Sequence, residues 1–164
     1  MTANNETQTL VNLASPKMGT KIISVSDEFF GEATRMLSDQ EPVFIEDKYD
    51  THGKWMDGWE SKRRRDGGND WAIIKLGSPG IISTIEVDTS FFTGNFPPFF
   101  SLEGTDSKEI PKNDNEWIPL ITKSSLIGDQ KNNFNIESNI TLNYVRLQIF
   151  PDGGVARLRL FGEV

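Results

Sequence analysis

The stretch Leu142–Phe150, LNYVRLQIF, followed by Pro151-Asp152-Gly153-Gly154 and then Val155–Gly162, VARLRLFG, decides the fold. Val145, Leu147 and Ile149 fall on one face of an extended chain and Tyr144, Arg146 and Gln148 on the other, the period of two that a half-buried strand requires. Leu158 and Leu160 oppose Arg157 and Arg159 in the same way. Asp152-Gly153 is a strong turn signal, so the two runs read as strands joined by a hairpin. Further short apolar runs on the N-terminal side read as strands: Ile22–Val25, Trp71–Leu76, Ile81–Asp88, Phe99–Gly104, Trp117–Ile121 and Phe134–Ile140. Breakers separate them at Gly77-Ser78-Pro79-Gly80, Gly94 to Pro98 and Gly104 to Asn115. This pattern predicts an all-β fold, an antiparallel β-sandwich or jelly roll. One short N-terminal helix is expected, capped by Ser26, with Asp27 and Glu28 at its positive end and Phe29, Phe30, Ala33 and Leu37 at helical spacing up to Ser38.

At 164 residues the chain is long enough for one domain with a full core. Residues 1–17 read as a flexible lead-in and 18–164 as the domain. The chain contains no cysteine, which excludes disulfides, thiolate metal sites and cysteine nucleophiles. A net charge of -7 opposes phosphate-backbone binding. Its one concentration of cations, Lys62 to Arg65, is blunted by Asp57, Glu60, Asp66 and Asp70, so no nucleic-acid partner is expected. No apolar run approaches the roughly 20 residues that span a bilayer, and MTANNETQTL has no apolar signal core. A soluble, cytoplasmic protein with no membrane partner is the expectation.

The segment Lys54–Arg65, KWMDGWESKRRR, packs two tryptophans, two carboxylates and a cationic run into one stretch. Trp55 and Trp59 demand burial while the charges demand water or each other, so the segment must sit where core meets solvent, a place where sites are built. Asp57 and Glu60 are three residues apart. A carboxylate partly desolvated against tryptophan rises in pKa and can transfer protons, although each equally suits an ion pair with a neighbouring arginine. The single histidine, His52, reads as a loop residue rather than a base. Asn95, in the turn Gly94-Asn95, offers both a donor and an acceptor; it and Asp88 are the polar exceptions around a phenylalanine-rich run. Arg157 and Arg159 share a strand face, where guanidinium forks suit a bound carboxylate or acidic cross-strand neighbours.

Taken together, Trp55-Met56-Asp57-Gly58-Trp59-Glu60 with Arg63 and Arg64, Asp70-Trp71-Ala72-Ile73-Ile74, Val87-Asp88-Thr89, Phe92-Thr93-Gly94-Asn95 and Pro151 through Arg159 resemble the allantoicase family. The resemblance covers about Gly19 to Gly162. It implies a galactose-binding-like jelly roll that hydrolyses allantoate to ureidoglycolate and urea in allantoin (purine) catabolism. The family usually carries two tandem copies of this domain, which implies either a missing second repeat or a homo-oligomer. Phe96-Pro97 departs from the histidine and alanine that many first copies carry. Allantoate bears one carboxylate and two ureido groups, so the resemblance casts Glu60 and Asp57 as catalytic carboxylates. It casts Arg64, Arg157 and Arg159 as anion-binding residues, and Asn95, Asp88 and Asp152 as further substrate contacts. Oxygen donors are the plentiful ligands, suited to magnesium, calcium or manganese rather than zinc; no metal site or cofactor is assigned. The alternatives are a non-catalytic small-ligand or carbohydrate-binding β-sandwich, or a half-enzyme active only beside a second copy.

Overall fold

The computed structural model describes residues 10–164. Its strands are β1 (Val11–Asn12), β2 (Lys21–Val25), β3 (Tyr49–Asp50), β4 (Gly53–Lys54), β5 (Trp59–Glu60), β6 (Asp70–Asp88), β7 (Phe99–Thr105), β8 (Ile118–Ser125), β9 (Lys131–Asn135), β10 (Leu142–Phe150), β11 (Gly154–Val155) and β12 (Arg157–Glu163). All pairings are antiparallel. One sheet runs β2-β6-β10-β7-β8 and the other β1-β12-β6-β9, with β6 common to both.

The common strand corrects one expectation. Gly77-Ser78-Pro79-Gly80 does not end a strand; β6 runs 19 residues straight through it. Its first half pairs with β2 and β10 and its second with β12 and β9. Against β10 the register jumps from Tyr144 opposite Lys75 to Leu142 opposite Gly80. The breaker residues therefore mark where the strand crosses between sheets, and the amide that Pro79 lacks is not needed in that unpaired gap.

The alternation read from the sequence places the core. Val145, Leu147 and Ile149 of β10 meet Ala72 and Ile74 of β6 and Phe100 and Leu102 of β7. From the other sheet, Ile85 and Val87 lie directly opposite Leu160 and Leu158 and join the same cluster. Burying ten or so such side chains, at about 1.5–3 kcal/mol each, is the main favourable term for a sandwich of this kind.

Two further expectations are corrected. Ser26 to Ser38 is not an α-helix: residues 26–32 are irregular, and only Ala33–Leu37 forms a 3-10 helix. Ser26 spends its hydroxyl on Asp70 at 2.8 Å and on the Trp71 amide at 2.8 Å, pinning the segment to β6 instead of capping a helix. Residues 11–14, expected within a flexible lead-in of 1–17, belong to the folded domain. Val11 and Asn12 pair with Gly162 and Phe161, and Leu13 and Ala14 are fully buried; the first nine residues of the expected lead-in lie outside the described residues. Among the described residues no helix is long and apolar enough to cross a membrane.

Candidate active site

The short pair β5 and β11 builds the site. Glu60 lies opposite Gly154 and Trp59 opposite Val155. Trp59 is fully buried and its indole Nε1 donates to the Asp27 carbonyl at 2.8 Å, so the strand that carries Glu60 hangs from a core anchor. The Gly154 amide donates to the Asn95 carbonyl at 2.8 Å, tying the loop after β6 to the same hairpin. Gly153 has φ +134°, a conformation that favours glycine, and its carbonyl accepts from the Ser61 amide at 3.1 Å. Three segments far apart in sequence thus converge through backbone bonds.

Where they meet lies a cleft of about 620 Å³, lined by Phe30, Glu60, Ser61, Arg63, Arg64 and Asn95, with Phe96 and Asp152 beyond them. Asn95 Nδ2 donates to Glu60 Oε2 at 2.9 Å across 35 residues of sequence. Burial pushes the Glu60 carboxyl above its ordinary pKa, and the Asn95 bond only partly opposes that shift. Asp152 Oδ2 accepts from the Arg64 amide at 2.8 Å.

Of the expected site residues, the structure brings Glu60, Asn95, Arg64 and Asp152 together in the cleft. Arg64 is largely committed: its guanidinium bonds Asp66 at 2.9 and 3.1 Å and the buried Asp70 at 2.8 Å. The neighbouring Arg63 is exposed, lines the cleft and makes no ion pair or side-chain hydrogen bond among the described residues. Sequence reasoning passed it over because nothing in the residue type separates Arg63 from Arg64. The signal lay in Asp66 and Asp70, whose carboxylates claim one of the two guanidinium groups.

Asp57, Asp88, Arg157 and Arg159 lie outside the cleft lining. Arg157 is 2% exposed; it bonds Asp57 Oδ2 at 2.8 Å and the carbonyls of Gln40, Arg35, Asp57 and Ala156 at 2.6–3.2 Å. Arg159 donates to the Ser38 carbonyl at 3.0 Å and lies 3.5 Å from both Glu86 and Glu41. These arginines clamp the 35–41 connection onto β12. Asp88 is fully buried and accepts from the Ser90 amide and hydroxyl at 2.8 and 2.6 Å. His52 is stacked on Phe29 at 4.1 Å between ring centroids, outside the cleft. Among the described residues no group of three or more His, Cys, Asp or Glu could hold a metal ion.

Gly58 sets the path of the segment between Asp57 and Glu60. A Cβ there would collide with the Val155 carbonyl oxygen and lie 2.6 Å from Ala156 Cα, both backbone atoms that cannot swing away. Gly58→Ala is expected to cost roughly 1–3 kcal/mol, the range for overpacking, and to displace Glu60 from Asn95. A chemical denaturation midpoint equal to wild type would show that β5 does not need this close approach.

A family model described as the allantoicase repeat matches residues 11–164. A protein from Acinetobacter baylyi described as "Probable allantoicase" is 48% identical over 155 residues, covering 94% of this chain and 46% of that protein. The chain therefore spans about half the length of the curated relatives it matches. A solved structure described as "Structure of allantoicase" superimposes with TM-score 0.83 at 31% identity, covering 94% of this chain and 49% of that one. The family 32 carbohydrate-binding module of C. perfringens NanJ, solved in complex with galactose, has TM-score 0.63 at 12% identity over 93% of this chain and 99% of that one. That last likeness shows the jelly-roll fold alone.

Proposed function

The chain belongs to the allantoicase family, and on that premise we propose that it hydrolyses allantoate to ureidoglycolate and urea, a C–N bond cleavage in a linear amidine, within the cleft around Glu60. The observation that carries this reading is the Glu60–Asn95 pair: a carboxyl group raised in pKa by burial, held by an amide, in a cleft edged by Arg63, a cation with no ion pair among the described residues. Arg63 takes the substrate carboxylate as a charge-assisted fork. Asn95 orients Glu60 and meets a ureido group. Glu60, kept protonated closer to neutral pH than an exposed carboxyl, donates its proton to the leaving ureido nitrogen as the C–N bond breaks. The oxygen of a water molecule forms the new C–O bond and surrenders a proton to Asp152, the other carboxylate in the cleft. Solvent exchange then restores both groups. The reaction so written needs no resident cofactor.

The same reading gives the protein a cytoplasmic location and a homo-oligomeric or two-repeat working state; the match to a repeat model, with a chain that covers 46% of one relative, supports the latter. A urea-release assay tests it. Arg63→Ala is expected to raise KM for allantoate about 10–100-fold with a smaller change in kcat, the size of a lost charge-assisted bond of roughly 1.5–3 kcal/mol. An unchanged KM would remove Arg63 from the site.

A further inference from the structure

A second cavity, of about 470 Å³, adjoins the Glu60 cleft and shares Arg63 and Arg64 with it. That volume suits a small molecule. Its wall also draws on Ser26, Lys62, Arg65 and Asp70, whose side chains the catalytic reading leaves unused. The cations are available: Lys62, Arg63 and Arg65 are exposed and make no ion pair among the described residues. Two of the acidic groups are not. Asp27 Oδ1 accepts from the amides of Phe29 and Lys62 at 3.0 and 2.9 Å, and Asp66 holds the Arg64 guanidinium. Four cations against three carboxylates leave the lining net positive.

Asp70 is the third carboxylate, and it is only half satisfied. Its side chain is fully buried, and Oδ1 accepts from Ser26 Oγ and Arg64 Nη1, both at 2.8 Å. Oδ2 is buried as well and has no hydrogen-bond partner among the described residues. A charged oxygen left dry and without a donor is costly, and an N–H brought by a bound molecule removes that cost. Both partners of Oδ1 line the same cavity, so the Asp70 carboxylate is part of its wall. Arg64 has three of its five N–H groups committed to Asp66 and Asp70, which leaves two to donate to an incoming oxygen.

These features together specify a ligand. The free cations call for a carboxylate, Asp70 Oδ2 for an N–H donor, and the spare Arg64 donors for a carbonyl oxygen. An ammonium group would satisfy Asp70 but is repelled by a lining already net positive, whereas the NH2 of a carbamoyl group donates without adding charge. We propose that this cavity is a second binding site, selective for small N-carbamoyl carboxylates. Asp70 Oδ2 takes the carbamoyl NH2, Arg64 the carbonyl, and Arg65 with Lys62 the carboxylate. Ureidoglycolate, the product under the proposed function, belongs to this class, but the site needs no turnover to fill.

Amide NMR titration of the isotope-labelled chain with N-carbamoylglycine tests the site. The amides of Ser26, Asp27 and Asp66 are expected to shift along one saturable curve, distinct from that of Asn95 and Gly153, which report on the Glu60 cleft. N-acetylglycine, which carries a methyl group in place of the carbamoyl NH2, is expected to bind the first set about 10-fold or more weakly. Lys62→Gln combined with Arg65→Gln, two exposed positions, is expected to abolish saturation at the first set and to leave the second set and the thermal midpoint unchanged. Equal binding of N-acetylglycine would reduce the cavity to an unselective anion site and overturn the proposal. So would still amides at Ser26, Asp27 and Asp66, or shifts there that persist in the double variant. Shifts in the first set with none at Asn95 and Gly153 would uphold the second site while counting against the Glu60 cleft, which keeps the two readings separable.

Discussion

Glu60→Gln is expected to lower kcat for urea release from allantoate by about 10²–10⁴-fold, the usual weight of a positioned proton donor, while the protein stays folded. Glutamine keeps the shape and can still accept from Asn95 Nδ2, but it carries no transferable proton. The pH dependence sharpens the test. Burial raises the folded-state pKa of Glu60. Its contribution to stability is therefore fully present below the unfolded value and is lost as pH rises through the raised folded value, where a charge must form in a partly dry site. The substituted protein is accordingly expected to match or exceed wild-type thermal stability at neutral pH. In wild type, kcat is expected to fall as pH rises through the raised pKa, and that limb should vanish in the variant. Retained turnover with the limb unchanged would assign proton transfer to another group.

Arg157→Met is expected to cost about 3–5 kcal/mol of folding stability, measured by urea or guanidinium denaturation. The side chain is 2% exposed and its partner Asp57 11% exposed, so the substitution strands a buried carboxylate. It also strips donors from the carbonyls of Arg35, Gln40 and Asp57. Adding Asp57→Asn to Arg157→Met should recover part of the loss, because the uncompensated charge goes with it. A loss below about 1 kcal/mol for the single variant would mean that the clamp between the 35–41 connection and β12 is not structural, and would return Arg157 to consideration as an anion ligand.

The two arginines show where sequence reading stops. Alternation in Arg157-Leu158-Arg159-Leu160 correctly placed the leucines in the core and the arginines on the opposite face. It could not reveal that this face is roofed by the 35–41 connection, because that roof comes from a segment more than 100 residues away. The strand Leu142–Phe150 was legible to the residue, since its period depends only on its own side chains. By contrast, the helix expected from Ser26 to Ser38 failed because Ser26 and Trp59 make tertiary bonds that override local propensity. Glu60 stood out through its tryptophan neighbour, and Asn95 through its turn. Their contact, however, exists only because the Gly153-Gly154 hairpin holds β5 on one side and the Asn95 loop on the other. Arg63 was hidden by its likeness to Arg64; charge assignment between them needs the positions of Asp66 and Asp70 in space.

Hydrolysis in the Glu60 cleft is tested most directly by product analysis. Purified protein incubated with allantoate should release urea and ureidoglycolate in equal amounts, with no comparable release by Glu60→Gln under the same conditions. Folded wild-type protein that binds allantoate reversibly yet liberates no urea would contradict the account and leave a ligand-binding jelly roll in its place.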